Sequence, residues 1–214
     1  MQNDLKIIVV GPPKSGKTEI ADILSAASKG FQGNTKPTVA LRILEFSTTI
    51  DVNGMQSNIS IQLWDTSGEE KYSAAWPAIA KNADGVMLVY NANDKNQGRL
   101  VENYFKKFAQ DVSPIQCLVV AHRIGESEGK PTRPKLPKSY EHVQIAIVDI
   151  KESTDSFFDQ FNSFLGRVQQ AKLKSIEEKE RQLIGEEVPK KKHKPPAEDE
   201  DNDDGGAEDE ANDE

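Results

Sequence analysis

Along its first 150 residues the chain alternates short apolar, β-branched runs with stretches whose hydrophobic positions recur at helical spacing. Residues 5–10, 41–50, 58–64, 85–90, 115–121 and 143–148 read as six strands. Near-continuous apolar runs at 86–89 and 117–120 suit strands buried on both faces, which predicts an α/β fold: a mostly parallel six-stranded sheet with helices on both faces. Asn53-Gly54, between the second and third strands, is a hairpin signal that makes one edge antiparallel. Helices are predicted at about 16–28, 70–82, 97–110 and 153–180.

In the last helix Phe157, Phe158, Phe161, Phe164, Leu165 and Val168 form a stripe read most simply as core packing. Beyond Gln169 the pattern turns charged, from Lys172 to Arg181, with little reason to pack on its own domain; a solvated helix and a partner-binding one both fit. The expected organisation is a domain at 1–170, a charged helical extension at 171–188 and a basic-then-acidic tail at 189–214 that cannot bury enough apolar surface to fold alone. Between the fifth and sixth strands, Gly125, Gly129, Pro131, Pro134 and Pro137 forbid a regular helix. A Pro-rich loop is predicted there instead, leaving a flank of the sheet exposed. On the predicted edge strand, Leu41, Ile43 and Glu45 alternate with Arg42, Leu44 and Phe46, and apolar residues on both faces predict cover by a partner. Trp76-Pro77 suits core packing and partner contact equally.

The formal charge of −8 misleads, because 11 of the 35 acidic residues lie in 197–214, where no basic residue stands; without that stretch the balance is +3. Setting aside Lys190, Lys191, Lys192 and Lys194 as well leaves about −1, which argues against nucleic acid as a partner. The single cysteine, Cys117, sits in an apolar run and is expected to be a buried, reduced thiol. Met1-Gln-Asn-Asp is not followed by a signal-like segment and the chain ends in Ala-Asn-Asp-Glu214, so a cytoplasmic protein without a direct lipid anchor is expected.

The chemistry enters at Gly11-Pro-Pro-Lys14-Ser15-Gly16-Lys17-Thr18, which fits G-x-x-x-x-G-K-[ST] between a predicted strand and a predicted helix. Glycines let the backbone curl its amides toward phosphate oxygens, and the helix N-terminus favours the anion. Lys17 is expected on the β and γ phosphates, and the Thr18 hydroxyl on Mg2+. A second motif, Leu63-Trp64-Asp65-Thr66-Ser67-Gly68-Glu69-Glu70, supplies an aspartate at a strand end that can hold Mg2+ through water, and a glycine amide for a γ-phosphate.

Together with Lys36-Pro37-Thr38, these motifs resemble a Ras-superfamily small GTPase over residues 5 to about 170. The resemblance implies the P-loop small-GTPase fold, GTP or GDP as ligand, Thr38 as the first-switch threonine that closes on Mg2+ and γ-phosphate, and Asp65, Gly68 and Glu69 as the start of the second switch. It also exposes departures. Glu69 replaces the water-orienting glutamine, and Pro13 removes an amide from the loop and puts a ring where the switch must close, so hydrolysis is expected to be very slow. His122-Arg123-Ile124-Gly125 replaces the guanine-reading Asn-Lys-x-Asp, with Arg123 able to stack on the base and Glu126 or Glu128 able to reach back; His122 fits a satisfied strand-end histidine as well as a nucleotide contact. Val148-Asp-Ile-Lys151 stands near the place of the missing Ser-Ala-Lys. These departures, with Val39-Ala-Leu-Arg-Ile-Leu-Glu-Phe46 and Ala75-Trp-Pro77, resemble the Rab-like subunits of intraflagellar transport complex B. That branch implies a nucleotide-ordered adaptor of cilia or flagella that docks on coiled-coil subunits. A partner-activated switch GTPase and a nucleotide-free scaffold remain the alternatives.

Overall fold

The computed structural model describes residues 4–26, 37–52, 54–125, 129–151 and 154–184. Strands β1 (Asp4–Val10), β2 (Leu41–Val52), β3 (Met55–Thr66), β4 (Gly85–Asn91), β5 (Cys117–His122) and β6 (Gln144–Val148) form one sheet of order β2-β3-β1-β4-β5-β6. All pairs are parallel except β2 with β3. In that hairpin Gly54 has φ +80° and its amide donates to Asp51 Oδ1 at 2.8 Å, while Asn53 lies outside the described residues.

Helices α1 (Lys17–Ala26), α2 (Trp76–Ala80), α3 (Lys95–Phe108) and α4 (Asp155–Leu183) divide between the two faces. On one face Ile20 and Leu24 of α1 and Phe157, Phe161, Phe164 and Val168 of α4 pack over Leu5, Ile7, Leu63 and Met87. On the other, Trp76, Ile79, Val101, Phe105 and Phe108 pack over Ile8, Val86, Leu88 and Val119. The phenylalanine stripe is therefore core. So is Trp76, whose ring lies 5.3 Å from Phe108 and 5.9 Å from Tyr104, whereas Pro77 is exposed.

Several boundaries move for local reasons. The single helix expected at 70–82 is a 3-10 segment, Glu70–Ala75, followed by α2, because Pro77 lacks an N–H and fits only a first helical turn. Strand β5 starts at Cys117 rather than 115: Ser113 and Gln116 cap a short 3-10 turn, Pro114–Gln116, that leaves Ile115 exposed. Asp94 caps α3 two residues early by accepting from the Asn96 amide at 2.8 Å. Cys117 is buried, and burial pushes its thiol up to about 12.

The charged part of α4 does engage its own domain. Lys172 Nζ donates to Asp84 Oδ2 at 2.9 Å and to the Asp4 carbonyl at 2.6 Å. The compact unit ends at Glu177; of the unit beyond it only residues 178–184 are described, all exposed, and the predicted tail at 189–214 lies outside the described residues.

Among the described residues between β5 and β6 there is no α-helix. Residues 130–137 run extended along α3, with the Thr132 amide on Ala92 O, the Lys135 amide on Gly98 O and Tyr90 donating its hydroxyl to Thr132 O at 2.6 Å. The loop is thus pinned to α3, and the flank beside it stays open: Ile145 and Ile147 of edge strand β6 are 39% and 56% exposed.

At the end of β5, His122 is 2% exposed beneath the turn that joins β1 to α1, with Nδ1 3.3 Å from Ser15 O and Nε2 4.0 Å from Glu19 Oε2. Burial holds its pKa below the ordinary 6.5, against the opposing pull of Glu19, the Ser15 carbonyl and Asp149. The folded chain therefore takes up this proton less readily than the unfolded chain. The resulting stability is fully present above pH 6.5 and is lost as the pH falls below it toward the folded value. Replacing His122 by Asn, which does not titrate, is expected to flatten the decline of Tm between about pH 7 and pH 5; a decline equal to that of the native chain contradicts the assignment.

Candidate functional site

The loop after β1 has the backbone that a phosphate cradle requires. Lys14 and Gly16 have φ of +59° and +78°, and positive φ at alternate positions turns successive amides toward one side. Two glycines are also fixed by close approach. A Cβ on Gly11 would stand 2.0 Å from Val89 O, and one on Gly16 would stand 2.1 Å from His122 Nδ1. Lys17 is almost fully buried; its ammonium donates to Pro12 O at 2.8 Å, and burial lowers its pKa to about 8 despite the raising influence of Asp65. The Ser15 hydroxyl is buried without a hydrogen-bond partner among the described residues. These groups border a cavity of about 370 Å³, lined by residues 13–19, Pro37, Thr38, residues 67–69 and Ile124.

At one end of the cavity three side chains from three segments converge. Thr18 Oγ1, at the start of α1, lies 2.7 Å from Thr38 Oγ1, and Thr38 Oγ1 donates to Asp65 Oδ2 at 3.1 Å. Asp65 is fully buried, and its Oδ1 has no hydrogen-bond partner among the described residues. Two hydroxyls and a carboxylate with a free lone pair form a hard oxygen donor set that fits Mg2+. Bound there beside a polyphosphate, the ion would neutralise phosphate charge. Lys36 of the same segment lies outside the described residues.

The second switch starts in contact with the cradle. A Cβ on Gly68 would come within 2.3 Å of Gly11 O and 2.7 Å of Pro13 N, so the segment closes over Pro13 only because residue 68 has no side chain. Tyr104 donates to Gly68 O at 3.3 Å and Gln97 Nε2 to Pro13 O at 3.2 Å, which ties α3 to both. Glu69 lines the cavity, but its carboxylate pairs with Lys71 Nζ at 2.5 Å. It is thus engaged sideways and offers no donor to an attacking water.

At the base end the sequence reading and the geometry part. Neither His122 nor Arg123 lines the cavity. His122 supports the loop from below, and the Arg123 guanidinium donates toward Gly129 O at 3.5 Å. The wall is Ile124, whose carbonyl accepts from Asn93 Nδ2 at 3.0 Å. Glu126 and Glu128 lie outside the described residues. Sequence reasoning also missed Arg42, whose guanidinium pairs with Asp22 at 2.7 Å and Asp65 at 3.3 Å. Counting back from the two-residue turn would have placed it directly across from Asp65.

Residues 6–125 match the family model described as Ras of Complex, Roc, domain of DAPkinase. The intraflagellar transport protein 22 homolog of Danio rerio is 30% identical over 183 residues, which cover 84% of this chain and 98% of that one. The intraflagellar transport protein 22 of Trypanosoma brucei is 28% identical over 202 residues, 83% of this chain and 92% of its own length. Among solved structures, T. brucei IFT22/74/81 in its GTP-bound form matches with a TM-score of 0.66 at 28% identity, covering 80% of this chain and 98% of that one. The GDP-bound T. brucei IFT22 matches at 0.60 and 27%, covering 79% and 98%. A phosphate cradle, a hydroxyl-carboxylate cluster and a switch glycine in one pocket are what such a domain requires, and the chain belongs to the Roc/Ras-like GTPase family, among the intraflagellar transport protein 22 homologues.

Proposed function

We propose that this chain is a GTP-binding subunit of intraflagellar transport complex B, acting in cilia or flagella and in the surrounding cytoplasm. GTP, with Mg2+ at Thr18, Thr38 and Asp65, orders both switches, and the ordered surface docks on coiled-coil subunits. The observation that carries this reading is the contact of Thr38 with both Thr18 and Asp65, which draws the first switch onto the phosphate loop. The loop residues Gly11, Pro13, Lys14, Ser15, Gly16 and Lys17 then hold the polyphosphate through main-chain amides and the lysine. Gly68 offers its amide to the γ-phosphate. At the base, the reading assigns stacking to Arg123, with His122 acting on the nucleotide through the loop.

Hydrolysis is slow in this account. Glu69 has no amide donor and is held by Lys71, so it does not orient water as the glutamine would. Single-turnover conversion of bound GTP is expected to run below about 10⁻³ per second, with Glu69→Gln severalfold faster. An unassisted native rate near 1 per second would instead make the chain a working timer.

Docking is supported by the edge strand. Next to Thr38, Val39 is 75% exposed, and Ile43 on the outward face of β2 is 46% exposed. Val39 adjoins Thr38, so closure of Thr38 fixes its position, while Ile43 is held in the hairpin across from Trp64. The T. brucei complex IFT22/74/81 is a solved assembly of a relative, and its 74/81 counterparts are the proposed coiled-coil partners. Ile43→Asp is expected to abolish co-elution with that pair in the GTP-loaded state while leaving GTP affinity within about twofold; retained co-elution moves the docking face elsewhere.

A further inference from the structure

Asp65 is a fully buried carboxylate, and a buried anion needs a counter-charge. Two cations are near it. Lys17 is committed to the Pro12 carbonyl on the cradle side. Arg42 comes from the opposite side: it is the register partner of Asp65 across the β2-β3 hairpin, and its Nη2 lies 3.3 Å from Asp65 Oδ2, 2.7 Å from Asp22 Oδ1 and 3.4 Å from Thr18 O. One guanidinium thus laces β2, β3 and α1 together at the point where the hydroxyls of Thr18 and Thr38 meet. Arginine keeps its charge at any working pH and its planar fork holds two acceptors at once.

We propose that Arg42 is a resident cation of the metal cluster, supplying part of the charge neutralisation that Mg2+ would give, so that the first switch and the bound nucleotide stay in place when the divalent ion is withdrawn. The proposal rests on the nucleotide-site reading above. Its physical content is a sharing of one carboxylate. Oδ2 of Asp65 serves Arg42 and Thr38, while Oδ1 remains open for the ion or its water. Thr38 is therefore anchored through an Asp65 whose charge is already partly balanced by Arg42, which it shares with Asp22. A cluster whose only cation beside Asp65 was the metal would lose that anchor on chelation, through repulsion between the bare carboxylate and the phosphates.

The test is the affinity of the full chain for a fluorescent GTP analogue, measured once in saturating Mg2+ and once in excess EDTA, with the ratio taken within each variant. Any general loss of affinity from a disturbed fold cancels in that ratio. The native chain is expected to lose about tenfold or less on chelation, and Arg42→Met at least about tenfold more than the native chain, with Arg42→Lys between them. Asp22→Asn separates a charge role from a mere tie between β2 and α1. It removes the competing charge and weakens the tie while leaving the guanidinium to Asp65, so its ratio is expected to be no larger than the native one. Equal ratios in native and Arg42→Met overturn the proposal, as does an Asp22→Asn ratio as large as that of Arg42→Met. An absence of binding even in saturating Mg2+ overturns the nucleotide-site reading and this proposal with it.

Discussion

A carboxylate sealed at the end of a central strand must be matched by charges and hydroxyls, and much of the phosphate end of this molecule follows from how Asp65 is matched. Strand β3 places it beside β1, in register with Val9, so that it faces the loop that β1 feeds. Thr38 and Arg42 then reach it from the first-switch segment and the hairpin edge, and Thr18, at the start of α1, joins through the Thr38 hydroxyl. Each contact would be worth little on the surface; the burial of Asp65 reduces the screening, though Arg42 itself remains partly exposed. Thr38 is held against the phosphate loop by a hydroxyl and a carboxylate whose oxygens would also suit a divalent ion.

The same economy governs the cradle. Its glycines at 11 and 16 and the switch glycine at 68 stand where backbone or an imidazole already occupies the place of a side chain. Loop, second-switch segment and β5 are consequently packed as neighbours, and α3 joins them through Gln97 and Tyr104. Around the pocket, two of the departures from an ordinary small GTPase stand at its ends. At the cutting end a carboxylate paired with lysine replaces an amide. At the base end an isoleucine wall replaces a polar reader, and the histidine before it serves the loop. An adaptor that keeps its nucleotide tolerates the first change well, since loss of water orientation lengthens the lifetime of the ordered state.

The six strands and the helices on both faces were legible because the apolar runs are long and the periods clean, and the loop motif was legible because its spacing is a backbone requirement. The breaks in legibility have particular causes. Pro77 split a helix whose side-chain period was continuous, and a Ser113-Gln116 cap consumed the first residues of an apolar run at 115. Lys172 read as solvated because its partner, Asp84, is 88 residues away. For His122 the sequence leaves a strand-end histidine and a nucleotide contact equally open, because side-chain direction at the end of β5 is not encoded in spacing; the ring lies under Gly16. Arg42 was visible as one face of an edge strand, but its pairing with Asp65 required the register of the hairpin as well as its existence.

The most direct measurement is a calorimetric titration of the full chain with GTP in the presence of Mg2+, beside the same titration of Lys17→Ala. The account predicts saturable binding at one site in the native chain and a loss of roughly a hundredfold or more in the variant, because among the described residues the buried ammonium is the only side-chain cation in the pocket wall apart from the exposed Lys14. Native protein that takes up no GTP, or a variant that binds it as tightly as the native chain, would contradict the account.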